Sequence, residues 1–429
     1  MIELNKVYNE DCRETMKRMP DNFVDSIVTD PPYELGFMGK KWDNSGIAYN
    51  VEMWKECLRV LKPGGYLLAF GGTRTSHRMV CAIEDAGFEI RDSILWLYGS
   101  GFPKSMNIGK EVDKLQGNER KVTGNYKHPD GGSRKLSRAN NTGNCYQRDG
   151  REWEKELTKG NSEFEGWGTA LKPAHEPICV ARKPIEEKTV AANVLKYGTG
   201  GINIDGCRIE HNEPEILTNR IAPKSSGEKM GTFKENGKLA SPCQSGRFPA
   251  NIILDPFTAD ELDKQAPDAG ACAPVKRGQK RDKGFVYGQY PPAGDDGDTF
   301  YDDKGGASRF FYIAKADQEE RNAGLHQFKK SFDSSRPWCT EDSDRNRIAT
   351  RLVSKSGQNF HPTVKPMKLI QYLQRLVTPK GGTTYDPFGG SGTSGCSAIN
   401  EGLNYILSEL ILEHCDIADK RIYNKKGLF

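Results

Sequence analysis

Both ends of the chain alternate short apolar runs with amphipathic segments, and no other feature limits the fold as strongly. Cys12 to Met19 has helical spacing, and "DSIVTD" (Asp25 to Asp30) reads as a strand. "VEMWKECLRVLKPGG" puts Val51, Trp54, Leu58 and Leu61 on one helical face before Pro63-Gly64-Gly65 ends it. A strand "YLLAF", a helix from Ser76 to Phe88 and a strand "EIRDSILWLYG" follow. After His361 the pattern returns: helix "MKLIQYLQRLV", strand "TTYDPF", helix "TSGCSAINEG", strand "NYILSE" and helix "ILEHCDIADKRI". Strands separated by helices of this length predict a parallel α/β sheet covered on both faces.

The middle breaks the alternation. "HPDGGSRKLSRANNTGNCYQRDGREW" is rich in Gly, Asn, Ser and Arg without apolar period, so 104–170 reads as a long basic loop or a partly disordered insertion. Pro177 to Ala181 reads as a strand, while "GRFPANIILD" and "SRFFYIAKA" read as isolated strands between polar loops. The simplest architecture is one α/β domain built from both ends, 1–183 and 361–429, interrupted by a separate module over 184–360.

The bulk properties exclude several classes. A length of 429 residues predicts two or three domains, or one with insertions. Mean hydropathy is −0.70 and no run of 18 apolar residues occurs, so no membrane span is expected. "MIELNKVYNEDCRETM" lacks an apolar signal core, which predicts a cytoplasmic protein. The eleven cysteines are scattered, with no Cys-x-x-Cys pair, so neither structural zinc, nor any other metal, nor a disulfide framework is expected. A net charge of +4 permits nucleic acid without arguing for it.

Two stretches carry chemistry. In "VDSIVTDPPYELG", two prolines stop a strand and fix a carboxylate, Asp30, and a ring, Tyr33, on stiff backbone. Alone, this is equally a strand terminator followed by a loop tyrosine. In "TTYDPFGGSGTSG", a strand runs into Gly390, Gly392 and Gly395 at G-x-G-x-x-G spacing, and Glu409 closes the next strand. Small residues let a cofactor approach the backbone, and an acid at the second strand tip can hold ribose hydroxyls. A dinucleotide would set its pyrophosphate at Thr393; S-adenosylmethionine would use the same loop and Glu409. The pattern of the loop leaves both open. The pairing of Asp-Pro-Phe before the glycines with Asp-Pro-Pro-Tyr at another strand tip favours the second.

With both motifs in view, the chain resembles the amino-methyltransferases of DNA, which methylate an exocyclic nitrogen of adenine or cytosine. With the catalytic motif first and the cofactor motif last, it resembles the beta group, a circular permutation of the Rossmann-like methyltransferase fold. The resemblance covers about 1–103 and 355–429, together with "HEPICVARKP", which looks like the hairpin partner of "DSILWLYG". It implies that Asp30, Pro31, Pro32 and Tyr33 are catalytic: Asp30 and the Pro31 carbonyl accept from the target amino group, and Tyr33 stacks on the base. It implies that Asp11, Cys12, Asp30, Asp386, Pro387, Phe388, Gly389, Gly390, Ser391, Gly392, Thr393 and Glu409 meet S-adenosylmethionine. "HPTVKP" resembles the segment closing over that cofactor, with Thr363 and Lys365 near its carboxylate. Trp96 and Tyr98 fall where the family supports the flipped base.

The target module is then 184–360, and Arg134, Lys135 and Arg138 are candidate phosphate contacts. Expected partners are double-stranded DNA and, as further candidates, a second copy and a separate restriction nuclease. Aspartate before Pro-Pro-Tyr favours adenine N6; cytosine N4 is the runner-up, then an RNA methyltransferase. A nucleotide-dependent oxidoreductase explains the glycines but not Asp30 to Tyr33, and a purely DNA-binding protein explains neither motif. Cys243 in "SPCQSG" matches the Pro-Cys-Gln of cytosine-C5 enzymes, but no Glu-Asn-Val partner accompanies it. His175 and His361 read as scaffold, and Trp42 and Trp167 equally as base contacts or as core or loop anchors.

Overall fold

The computed structural model describes residues 2–36, 41–99, 101, 105–127, 134–137, 145–148, 154–210, 246–267, 305–314, 322–323, 325, 359 and 364–427. In chain order the first elements are β1 (Lys6–Tyr8), α1 (Cys12–Lys17), β2 (Val24–Thr29), α2 (Val51–Val60), β3 (Leu61–Phe70), α3 (Ser76–Asp85) and β4 (Glu89–Leu97). Next come α4 (Ile108–Gln116), β5 (Lys121–Lys127), β6 (Arg134–Ser137), β7 (Cys145–Arg148), β8 (Glu154–Lys159) and β9 (His175–Arg182). They are followed by α5 (Val190–Tyr197), β10 (Ile252–Leu254), α6 (Pro256–Gln265) and β11 (Tyr312–Ile313). The last are α7 (Met367–Val377), β12 (Thr383–Asp386), α8 (Thr393–Asn400), β13 (Asn404–Ser408) and α9 (Leu412–Lys426).

The chain divides into two compact units. The larger comprises 1–34, 45–99 and 175–429. It holds a nine-stranded sheet in the order β1-β13-β12-β2-β3-β9-β4-β10-β11. Every pair is parallel except those made by β9, which runs antiparallel to both β3 and β4. The expected Rossmann-like α/β sheet is present, parallel except at β9, and the two ends of the chain meet in it where β12 pairs with β2.

Alternate residues of the central strands face two apolar layers. Ile27, Leu67, Ala69, Cys179 and Ala181 pack on one side with Met53, Trp54 and Cys57 of α2 and Ile83 of α3. Val28, Leu68, Phe70, Ile178 and Val180 pack on the other with Leu369, Ile370 and Leu373 of α7. Burial on both faces makes these strands read as continuous apolar runs. Cutting fully buried Leu67 or Leu68 to alanine would cost about 2–5 kcal/mol.

The smaller unit, 35–44 and 100–174, carries α4 and two antiparallel pairs, β5 with β8 and β6 with β7. The reading of 104–170 as a loop is therefore corrected for its described residues. Asn107 caps α4 by accepting from the Lys110 N–H at 2.9 Å, and Gly117 closes it in the left-handed region. Arg120 bridges Asp113 of α4 and Glu165 beyond β8, an ion-pair network that helps hold these parts of the unit together.

Two boundaries also move. Leu61, read on the stripe of α2, begins β3; Pro63 holds the residue before it extended, and the strand turns at Gly64 (φ +77). β12 ends at Asp386 because Pro387 cannot donate to the ladder. The strands read as isolated in "GRFPANIILD" and "SRFFYIAKA" extend the main sheet, β10 alongside β4 and β11 alongside β10. Among the described residues no helix is long and apolar enough to cross a membrane.

Candidate active site

The next strand after β12 lies on one side of it, and the next strand after β2 lies on the other. Strand order thus reverses between them, and the crevice outside the carboxyl ends at such a point is where ligands of open sheets sit. Thr29 and Asp386 are the last residues of β2 and β12, and the Thr29 hydroxyl donates to Asp386 Oδ1 at 2.6 Å.

The tip of β2 is held from several directions. Thr75 Oγ1 donates to the Tyr33 carbonyl at 2.7 Å. Glu34 sits in the left-handed region (φ +55), where its carboxylate accepts from the Gly46 N–H at 2.9 Å. A Cβ on Gly72 would lie 3.2 Å from Tyr33 Cδ2, so glycine leaves room for that ring. Lys365, just before α7, reaches in and donates to Asp30 Oδ2 at 2.6 Å and to the Tyr33 hydroxyl at 3.2 Å. Its nitrogen is 3.3 Å from Glu176 Oε2, the atom to which the Tyr33 hydroxyl donates at 2.8 Å. The ammonium also lies 4.9 Å from the centre of the Phe70 ring.

One oxygen of this cluster stands apart: Asp30 Oδ1 is buried without a hydrogen-bond partner among the described residues. Burial raises the Asp30 carboxyl above the usual carboxylate range, against the pull of Lys365 and with the push of Glu176. Burial works to lower the Lys365 ammonium, but the two carboxylates outweigh it and raise it above the usual lysine value. Burial, Asp30 and Glu176 together push the Tyr33 phenol well up, so it stays protonated.

The tip of β12 is closed differently. Asp386 accepts from Thr29, from the Phe388 N–H at 3.0 Å and from the Ser394 hydroxyl. Burial raises it to about 6 despite those bonds. The glycine loop follows, with Gly390 at φ +52 and Gly392 at φ +78. A Cβ on Gly392 would lie 2.7 Å from Ala418 Cβ on α9, so only glycine allows that packing. Buried Arg421 donates to the Ser391 carbonyl at 2.7 Å and to Thr393 Oγ1 at 3.0 Å. At the tip of β13, Glu409 accepts from the N–H of Gly390 at 2.9 Å and of Ile411 at 2.8 Å. Its carboxylate is therefore aimed at the loop.

Other expected residues fall as follows. Asp11 caps α1, accepting from the Arg13 N–H at 2.9 Å; the side-chain bond from Arg13 leads the effects that hold it below its usual value. Cys12 is buried, and burial raises its thiol to about 12. Trp96 and Tyr98 lie on and just after β4 with ring centres 5.2 Å apart. Arg134 and Lys135 lie on β6 of the smaller unit. Trp167 is exposed in that unit, edge-on to Phe164. Thr363, Arg138, Cys243 and His361 lie outside the described residues.

Lys365, expected beside the cofactor's carboxylate, donates to Asp30 Oδ2. Glu176 was not singled out from sequence, although an acid at the start of the apolar strand "HEPICVA", opposite Trp96 in the ladder, was a usable signal.

A family model described as DNA methylase, of N6/N4 type, matches residues 24–420. The type II methyltransferase M.BamHI of Bacillus amyloliquefaciens is 39% identical over 74 residues, 16% of this chain and 18% of that protein, so the chain spans less than a fifth of that relative. The type II methyltransferase M.HindIII of Haemophilus influenzae is 24% identical over 301 residues, 58% of this chain and 83% of that protein. Among solved structures, the M1.HpyAVI–SAM complex is 14% identical with a TM-score of 0.36, covering 97% of this chain and 98% of that one.

Proposed function

This chain belongs to the DNA methylase family, and from that premise we propose that it transfers a methyl group from S-adenosylmethionine to N6 of adenine at specific sites in double-stranded DNA. The observation that carries the reading is the Thr29–Asp386 hydrogen bond, which ties the Asp30-Pro31-Pro32-Tyr33 turn to the root of the glycine loop. The residues present suit the cofactor. Glu409 is an acceptor-only group at the second strand tip, as a ribose diol requires, and Gly389 to Gly392 offer backbone with little side-chain bulk. When bound, S-adenosylmethionine supplies an electrophilic sulfonium methyl.

The chain's own part is positioning and electrostatics. An exocyclic amino nitrogen is a weak nucleophile because its lone pair is delocalised into the ring. Asp30 Oδ1 and the Pro31 carbonyl, accepting from its two protons, localise that pair. The base has to leave the duplex to reach them, and unstacking costs a few kcal/mol. Tyr33, its hydroxyl tied to Glu176, offers a ring that offsets part of that cost, with Trp96 and Tyr98 in support. Asp11, Cys12 and Thr363 complete the cofactor's surroundings in this reading. The 184–360 segment selects the sequence, with help from 104–170. Neutralising Arg134, Lys135 and Arg138 together should weaken binding to all duplexes alike and flatten its salt dependence.

Base-resolution methylation mapping of DNA from cells expressing the protein is the test. N6-methyladenine confined to one short sequence is the expected result. N4-methylcytosine there would move the target to cytosine. Tight NAD binding with no response to S-adenosylmethionine would sink the transfer reading.

A further inference from the structure

The partly buried cluster at Asp30 holds more charge than an acceptor needs. Two carboxylates, Asp30 and Glu176, share one ammonium, Lys365, with contacts of 2.6 and 3.3 Å. They come from three distant parts of the chain: the tip of β2, the start of β9 and the residue pair before α7. With all three ionised, the set carries one net negative charge. Lys365 occupies Asp30 Oδ2 and leaves Oδ1 buried and, among the described residues, unpartnered. We infer that Lys365 and Glu176 form a charge-setting pair: Lys365 orients Asp30 and keeps it ionised, and Glu176 cancels the lysine's charge so that Oδ1 stays an anionic acceptor.

The inference rests on the transfer reading above. As a methyl group reaches an amino nitrogen, positive charge grows there. An Asp30–Lys365 pair alone is neutral and stabilises that charge poorly; adding Glu176 restores a negative potential at the place where charge develops. Lys365 alone answers a second need. Without it, two carboxylates in one buried site share a proton, and Asp30 becomes a neutral acid whose acceptor strength is lost. The groups facing Asp30 are Lys365, Glu176 on β9, Tyr33 on its own loop and Asp386 on the adjacent strand. Tyr98 also senses the charges of Glu176 and Lys365. Lys365 and Glu176 are thus positioning residues that act through Asp30.

Opposite pH responses test this. In Lys365→Met the acidic limb of the transfer-rate profile should move up by about one pH unit or more, because a stabilising cation is removed. In Glu176→Gln the limb should move down, because a like charge is removed, while the plateau kcat falls about tenfold or more with KM for DNA little changed. The double variant Glu176→Gln with Lys365→Met regains one net negative charge, so its plateau rate should exceed that of Glu176→Gln alone. A purely structural ion pair predicts rate losses that follow the loss of stability in a thermal melt and leave both limbs where they lie in wild type. Limbs that move the same way, or not at all, would overturn the proposal.

The Asp30 carboxyl carbon, followed by NMR in the free protein against an Asp30→Asn spectrum, should titrate in the order Lys365→Met highest and Glu176→Gln lowest. That readout needs no methylation. An enzyme inactive on all DNA but showing this order would refute the transfer reading and uphold the charge-setting pair. If Lys365→Met fails to fold, Lys365→Gln is measured in its place, and loss of the order there refutes the pair.

Discussion

Asp30-Pro31 and Asp386-Pro387 are the same dipeptide at two neighbouring strand tips, yet their carboxylates live differently. Asp386 is buried and takes hydrogen bonds from Thr29, Phe388 and Ser394. Among the described residues, Asp30 takes one salt bridge, from Lys365, and leaves Oδ1 without a partner. Native structures seldom leave a buried polar atom without a partner, and an exception calls for an explanation. A satisfied carboxylate builds the floor of the site; an unsatisfied one is poised for a ligand. Proline after aspartate ends the strand in both cases, so the motif alone does not separate the roles.

The sharpest way to break the contrast is to remove each acid. Asp30→Ala should abolish methyl transfer, by on the order of 10²–10³-fold or more, since the lost acceptor acts mainly as charge develops. Folding should survive, because Lys365 keeps Glu176 as its partner. A thermal melt beside a transfer assay checks both, and a variant that unfolds would contradict the division of roles. Asp386→Ala should do the opposite. It strands the donors of Thr29, Phe388 and Ser394, and stability should fall by about 3 kcal/mol. Chemical denaturation measures it.

The same acid predicts a pH dependence. Its folded value is raised, to about 6, above the ordinary 3.8. Its contribution to stability is therefore fully present below about 4 and lost as pH rises through about 6, by at most about 3 kcal/mol. Wild type minus Asp386→Asn, compared by denaturation from pH 4 to 7, should show that loss; a difference that does not change with pH would mean Asp386 is ionised throughout. Next in size is Glu409→Ala. It should weaken S-adenosylmethionine by about 1–3 kcal/mol, read by calorimetry, if a charge-assisted bond to ribose is lost.

The contrast also explains what sequence made legible. Asp30 to Tyr33 and Asp386 to Thr393 are contiguous, so their chemistry shows as local strings, and the alternation at both chain ends foretells the sheet that joins them. Lys365 and Glu176 meet Asp30 only through the fold. Nothing local marks Lys365 as the partner of an acid 335 residues away. Helices α5 and α6 carried their signals openly, Thr189 and Asp255 as caps and Pro256 at the first turn, but they lay in a stretch whose polar loops masked the period. Leu61 shows the limit of periodicity: it fits the helical stripe of α2, yet its backbone is extended and it pairs with Val24 in the sheet.

The smallest effect probes the link between the two tips. Thr29 and valine have nearly the same shape, so Thr29→Val removes one hydroxyl and little packing. Asp386 Oδ1 keeps the Phe388 N–H, so no carboxylate oxygen is left bare. The expected loss of stability is about 1 kcal/mol, the net worth of one hydrogen bond. With one donor fewer, Asp386 should titrate higher than in wild type, and the pH-dependent loss of stability should extend upward. If the bond also sets the spacing of Asp30 from the glycine loop, transfer should slow by more than cofactor binding weakens, because small misplacements cost more at the transition state than in the ground state. Equal losses in kcat/KM and cofactor affinity would mean that Thr29 only supports the loop and that the two tips are aligned by the β2–β12 ladder itself.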